Sequence, residues 1–151
     1  MEPPRIRPLA ICVCRDGDRI LVAEGFDSVK REAFLRPLGG SIEFGERGAQ
    51  AVAREFREEL GADVARIRYL GVIENLFTCE GQPGHEIVLV YDGELLDRSL
   101  YGKDFLEGIE DSRTPFRAVW KPLAELREGS IPVYPEGLLD LLSGGGSPCA
   151  G

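Results

Sequence analysis

One histidine, His85, is present in 151 residues, and none of the four cysteines forms a Cys-x-x-Cys pair. A zinc centre built from imidazoles and thiolates therefore has too few donors. Cys12 and Cys14 lie two apart on an apolar stretch, so in a strand they share a face and are too constrained to bridge each other. Free thiols in a reducing cytoplasm is the reading that follows. Long apolar runs are missing as well. No stretch approaches the ~18 residues of a membrane span, and Met1-Glu2-Pro3-Pro4-Arg5 lacks the apolar core of a signal peptide. No membrane partner is expected. Cations are also short: 18 Lys and Arg face 26 Asp and Glu, a formal net charge of −8. That balance argues against nucleic acid as a non-specific partner. It also surrounds any polyphosphate with a repulsive field unless metals and local arginines offset it.

What remains is ordinary for a globular protein, with 43% hydrophobic and 29% charged residues. The length fits one domain with a real core. Residues 1–142 read as that domain and 143–151 as a flexible Gly/Ser-rich tail. Pro8 to Cys14 reads as a strand, Arg15-Asp16-Gly17-Asp18 as a tight turn and Arg19 to Glu24 as a second strand. Phe26 to Ala33 is polar and is expected to be a loop over the site. Phe34 to Leu38 is a short extended piece entering a Gly39-Gly40 turn, and Gly48 to Leu60 is a helix. Val64 to Cys79 reads as one long or bent strand with a bulge near Gly71, and Ile87 to Asp92 as a continuous apolar strand. Arg98 to Arg113 is acidic and loop-like, with room for a helical turn. Phe116 to Trp120 is a strand, Leu123 to Arg127 a short helix, and Pro135 opens a last helix to Leu142. Strands alternating with helices predict an α/β fold with a mixed sheet covered on both faces.

The most informative segment runs from Gly40 to Gly61. At about 100° per residue, Glu55, Glu58 and Glu59 fall in one sector of the helix. Val52, Phe56 and Leu60, with Ala49 and Ala53, form the adjacent apolar stripe. Arg54 can pair with Glu58 one turn on, and Gly61 closes the helix as a left-handed cap. Clustered carboxylates on a rigid helix are what Mg²⁺ or Mn²⁺ takes, since hard cations prefer oxygen donors. Taken alone, Arg-Glu-Phe-Arg-Glu-Glu-Leu also fits a solvated amphipathic helix dressed with ion pairs. The turn at Gly39-Gly40 and Glu46 at its fixed distance weigh against that.

Gly40, Glu46, Arg54, Glu55, Phe56, Glu58, Glu59 and Gly61 stand in the register of the Nudix box, G-x5-E-x7-R-E-U-x-E-E-x-G-U, where U is a bulky aliphatic residue. At a few per cent usage per residue, seven fixed matches arise by chance far less than once in about a million positions. Phe56 fills a slot usually aliphatic and Ala62 is small where a bulky residue is expected, departures that concern packing. The resemblance extends over about residues 5–142, through Trp120-Lys121-Pro122-Leu123 and the Tyr134-Pro135-Glu136 entry to the final helix. It implies the Nudix α/β/α sandwich, with the box as loop–helix–loop beside a mixed sheet.

The resemblance also implies chemistry. Glu55, Glu58 and Glu59 would be metal ligands, with the Gly39 carbonyl as a backbone ligand and Mg²⁺ or Mn²⁺ as the cofactor. Arg54 would orient Glu55, and Glu46 would support by salt bridging. Gly40 would let the chain turn sharply beside the metal. Many family members carry a further acid just ahead of the late Trp strand, but Arg117 stands there in this chain. Glu86, Glu107, Glu110 and Asp111 are the candidates to replace it, with a box glutamate as a further route; Glu86 is also readable as a strand-edge charge. Arg36, ahead of the glycines, is a candidate phosphate holder, as are Lys30 and Arg31. Trp120 and Phe77 read as core, although the resemblance also allows a family aromatic to stack a base. The expected function is metal-dependent hydrolysis of a phosphoanhydride in a nucleoside diphosphate linked to another group, such as ADP-ribose or a sugar nucleotide. Alternatives are a nucleoside triphosphate or dinucleoside polyphosphate hydrolase and, in another class, a non-catalytic sensor of a nucleotide metabolite. The sensor would be marked by loss of Arg54, Glu55, Glu58 or Glu59, and none is lost. Prenyl-diphosphate isomerase chemistry would want histidine ligands and an activated cysteine, which this chain lacks. A homodimer is compatible with all of these readings.

Overall fold

Leu9-Ala10-Ile11-Cys12-Val13-Cys14 is an unbroken apolar run, which suits a strand buried on both faces. In the computed structural model, which describes residues 3–143, it lies within strand β1 (Arg7–Asp16). A tight turn at Gly17 leads to β2 (Arg19–Asp27), but the two strands pair only at Arg15↔Ile20 and Asp16↔Arg19. Beyond that point other strands take their edges. β3 (Glu32–Arg36) pairs with β2, and β4 (Leu38–Ser41) runs antiparallel to β1 from Leu9↔Ser41 to Cys12↔Leu38. After helix α1 (Gly48–Leu60), β5 (Val64–Cys79) and β6 (Gln82–Leu95) form a long hairpin, with β6 parallel to β1. A 3₁₀ turn at Arg98–Gly102 precedes β7 (Phe105–Ile109) and β8 (Pro115–Pro122), followed by α2 (Leu123–Glu128) and α3 (Leu138–Ser143). The eight strands make a mixed sheet in the order β5-β6-β1-β2-β8-β7, with β3 and β4 attached to β2 and β1.

The expected α/β/α layering is present. Ala51, Val52 and Phe56 of α1 pack on Ala10, Cys12, Cys14, Leu21 and Ala23. On the opposite face Leu126, Leu138 and Leu142 of the last two helices cover Ile11, Val13, Ile20 and Val22. Cys12 and Cys14 are free and buried together, as the strand reading requires. Trp120 is core as expected; it stacks on Tyr101 with centroids 4.9 Å apart and donates Nε1–H to the Leu100 carbonyl at 3.2 Å.

Several local expectations need correction. Phe26 to Ala33 is a hairpin tip rather than a loop. The Asp27 carboxylate, 3% exposed, accepts from the Val29 and Lys30 N–H groups at 3.0 Å, closing the turn that β2 and β3 flank. Polar composition hid a turn held by an Asx interaction. The acidic segment from Arg98 likewise contains a strand, β7, in which Leu106 and Gly108 are buried while Phe105, Glu107 and Ile109 are exposed. With a glycine at one of the two inward positions, the alternation is nearly invisible to a hydropathy reading. Pro135 does not open the last helix. α3 begins at Leu138, after a cis Tyr134–Pro135 bond and Gly137 at φ 93°. β5 has its expected extent, with irregular pairing between Ala65 and Arg68 and between Tyr69 and Gly71. Phe77 is half-exposed rather than core. The tail expectation covers 143–151, but Ser143 is the last residue of α3, and 144–151 lie outside the described residues. Among those described, no helix is long and apolar enough to cross a membrane.

Candidate active site

Helix α1 starts after a turn in which Glu43 N–H donates to Glu46 at 3.0 Å and Arg47 N–H donates to Gln50 at 2.8 Å. It ends at Gly61, φ 65°, whose N–H reaches the Arg57 carbonyl at 3.0 Å. Between these ends its inward face carries Ala51, Val52, Phe56 and one carboxylate, Glu55, which is 2% exposed. The glutamates therefore do not share one environment, as the helical wheel alone would have it. Glu55 is buried, Glu59 half-buried, and Glu58 is 48% exposed.

Arg54 organises the solvent side. Its Nε and Nη2 donate to both oxygens of Glu46, at 2.8 and 2.9 Å, and Nη2 also donates to the Ser41 carbonyl at 2.9 Å. Its Nη1 donates to Glu55 Oε1 at 2.9 Å and lies 3.3 Å from Glu58 Oε2. These bonds, Arg54 first and then the Glu43 N–H, hold the Glu46 carboxyl down at about 2. Arg54 is pushed further up and stays charged.

The cavity side is the reverse. Glu55 Oε2 is buried with no hydrogen-bond partner, and burial pushes its carboxyl up. Burial first, then repulsion from Glu55, pushes Glu59 up to about 8, against an opposing pull from Arg36. Oxygens of Glu55, Glu59 and Asp111 all lie within 4.8 Å of one another. Such a trio is costly without a cation, and an orphaned carboxylate oxygen among two others is the donor set a hard divalent ion takes.

Two glycines make the convergence possible. Gly39 and Gly40 are not the expected turn but lie in β4, paired with Ile11 and Ala10. A Cβ on Gly40 would sit 2.4 Å from the Glu55 carboxyl carbon, so only glycine leaves that carboxylate room. A Cβ on Gly108 would sit 2.6 Å from the Glu59 carbonyl oxygen. Gly108 thus lets β7 run against the end of α1, and Asp111 follows three residues later. Sequence reading missed Gly108; its only signal was a glycine inside a segment read as loop.

The trio opens into a cavity of about 770 Å³ whose wall includes Gly39, Arg36, Glu86, Glu110, Phe34 and Tyr134. Arg36 Nη2 meets Glu110 Oε2 at 2.6 Å. Glu86, opposite Asn75 on the β5–β6 hairpin, accepts from Asn75 Nδ2 at 3.2 Å and from Arg7 Nη1 at 3.5 Å. Phe34 and Tyr134 stand 5.6 Å apart, and with Phe77 they give the cavity an aromatic portion that the sequence did not single out as a unit. Lys30 also lines it, whereas Glu58, Arg31 and Glu107 do not. Arg117 faces away, paired with Glu24 at 3.5 Å and lying over the Phe105 ring.

A mixed sheet between helical layers, with the box helix presenting carboxylates to a cleft beside β4, defines a Nudix-type domain. The NUDIX domain model matches residues 4–137, and the chain belongs to the Nudix family of hydrolases. It is 35% identical over 112 residues to the NAD-capped RNA hydrolase NudC of Mycobacterium tuberculosis, covering 68% of this chain and 35% of that protein. Its likeness to the NudC of Vibrio atlanticus is 40% over 68 residues, covering 45% of this chain and 24% of that one. The chain thus spans about a third or less of the length of these curated relatives. Among solved structures, a NUDIX hydrolase from Nitrosomonas europaea superposes with a TM-score of 0.65 at 18% identity, covering 92% of this chain and 87% of that one. These structures share the fold.

Proposed function

We propose that this domain is a divalent-metal-dependent pyrophosphohydrolase that cuts the phosphoanhydride of a nucleoside diphosphate joined to a second group. One observation carries the reading: the buried, unpartnered Oε2 of Glu55, grouped with Glu59 and Asp111 at the mouth of a cavity large enough for a nucleotide. Glu55, Glu59 and Asp111 would hold Mg²⁺ or Mn²⁺, with the Gly39 carbonyl as a backbone donor and Glu58 available to a further ion from the solvent side. A bound dication supplies charge neutralisation on phosphate oxygens and a more acidic water. Arg54 keeps Glu55 oriented, with Glu46 and Gly61 fixing the helix that carries them. Arg36 and Lys30 offer positive charge to the phosphates in a cavity whose lining carries more carboxylates than cations. Phe34, Phe77 and Tyr134 offer ring faces to a base. Glu86, steadied by Asn75 and Arg7, is assigned to take the proton of the attacking water.

The relatives named for NAD-capped RNA favour a dinucleotide-type diphosphate over a triphosphate. The aromatic portion of the cavity supports the same choice, since a diphosphate flanked by ring systems needs stacking as well as charge. The test is turnover of ADP-ribose, NAD, sugar nucleotides, dinucleoside polyphosphates, NAD-capped RNA and nucleoside triphosphates with Mg²⁺ or Mn²⁺. Hydrolysis of the diphosphate-linked compounds well above the triphosphates is expected. Preference for triphosphates would overturn the substrate assignment, and tight binding without turnover would make the domain a sensor.

A further inference from the structure

Asp111 reaches the carboxylate trio from the turn at 110–114, and a turn needs something to hold it in place. The main chain of Glu110 closes that turn: its N–H donates to the Thr114 carbonyl at 2.9 Å, and its carbonyl accepts from the Arg113 N–H at 2.8 Å. Its side chain leaves the turn for Arg36, at 2.6 Å. Among the described residues this is the one ion pair tying 110–114 to the rest of the chain. Arg36 is a firm anchor. It sits on β3, paired along its length with β2, and the neighbouring Leu35 exchanges main-chain bonds with Pro132 and Tyr134 at 3.0 and 2.9 Å.

We propose that Arg36 is a positioning residue for the metal site, its ion pair with Glu110 holding the turn so that the Asp111 carboxylate stands beside Glu55 and Glu59. The inference rests on the reading of that trio as a cation site. It gives Arg36 a role before substrate arrives, in addition to any contact with phosphate. A diphosphate that engages the same guanidinium would compete with Glu110, so substrate binding and the placement of Asp111 are linked through one side chain.

Sign makes the proposal testable. Arg36 is a positive charge near the trio, so as a point charge it opposes a dication, and removing it should tighten Mn²⁺ binding. As the anchor of Asp111, its removal should weaken binding. Mn²⁺ affinity of the substrate-free full chain, read by electron paramagnetic resonance, separates the two. Arg36→Met and Arg36→Gln are expected to bind Mn²⁺ about tenfold more weakly, the scale seen when groups supporting a metal ligand are lost. Arg36→Lys should recover part of the loss. Glu110→Gln should also weaken binding, and the double variant Arg36→Met/Glu110→Gln should be no weaker than the weaker single one. Unchanged or tighter binding in either neutral Arg36 variant overturns the proposal. Asp111→Asn serves as the reference: if it binds Mn²⁺ like wild type, or wild type binds none, the trio reading itself fails. If Asp111→Asn weakens binding while the Arg36 variants do not, only the positioning role is lost.

Discussion

Glu46 and Glu59 are both glutamates of one short motif, yet their surroundings are opposite. Glu46 accepts from Nε and Nη2 of Arg54 and from a backbone N–H, and its carboxyl is held at about 2. Glu59 has no hydrogen-bonding cation of its own among the described residues, and burial first, then repulsion from Glu55 and Asp111, pushes its carboxyl up to about 8 against the pull of Arg36. The first arrangement is complete within the protein and builds structure. The second is unfavourable as it stands, and a protein keeps an unfavourable charge group where a ligand makes it favourable. Under the proposed function the contrast places structure on one side of α1 and chemistry on the other, with Arg54 and Glu55 joined across the boundary.

The strongest challenge to that division is Glu59→Gln. If Glu59 acts in the chemistry, the change should lower kcat at least about a hundredfold while leaving Tm unchanged or higher. Near-normal kcat would move Glu59 to the structural side. Arg54→Met probes the other side. It leaves Glu46 and Glu55 without their cation, and the loss of a partly buried ion network is expected to lower stability by about 2–3 kcal/mol. The readout is urea denaturation, with an m-value like that of wild type. A variant that keeps full stability and loses only activity would show that the Arg54 network serves the reaction alone.

How much of this was legible in the sequence follows from the range of each interaction. The box helix, its Gly61 cap and the pairing of Arg54 with Glu58 are set within one or two turns, and local spacing reveals such features. Burial of β1 on both faces was legible because every position from Leu9 to Cys14 is apolar. Burial of Glu55 was not, because it depends on Gly40 lying across from it on β4, fifteen positions away. The role of 110–114 was not legible either. Asp111 was one of several acids in a segment read as loop, and what singles it out is the approach of Gly108 to the carbonyl of Glu59. The β2–β3 hairpin was missed because Asp27, a polar residue, is buried and closes the turn with its own side chain. In each case a contact distant in sequence decided what a local pattern left open.

The smallest expected effect separates the same two carboxylates by pH. Glu59 has a folded value of about 8 against an ordinary 4.5, so between these the folded protein retains a proton that the unfolded chain has released. Unfolding then releases protons, and the contribution of Glu59 to stability, full below pH 4.5, is lost as pH rises through 8. Glu46 has a folded value of about 2, so its contribution is full above 4.5 and is lost as pH falls towards 2. In a chelator, Tm should therefore fall on the alkaline side for one reason and on the acid side for another. Glu59→Gln should flatten the alkaline limb, leaving the part due to Glu55, and should leave the acid limb alone. Glu46→Gln should do the opposite. Mn²⁺ should raise Tm most above pH 8, where Glu59 is ionised and the trio is at its most repulsive. An alkaline limb that persists unchanged in Glu59→Gln would mean that the charge cost lies elsewhere, and the contrast between the two glutamates would lose its energetic basis.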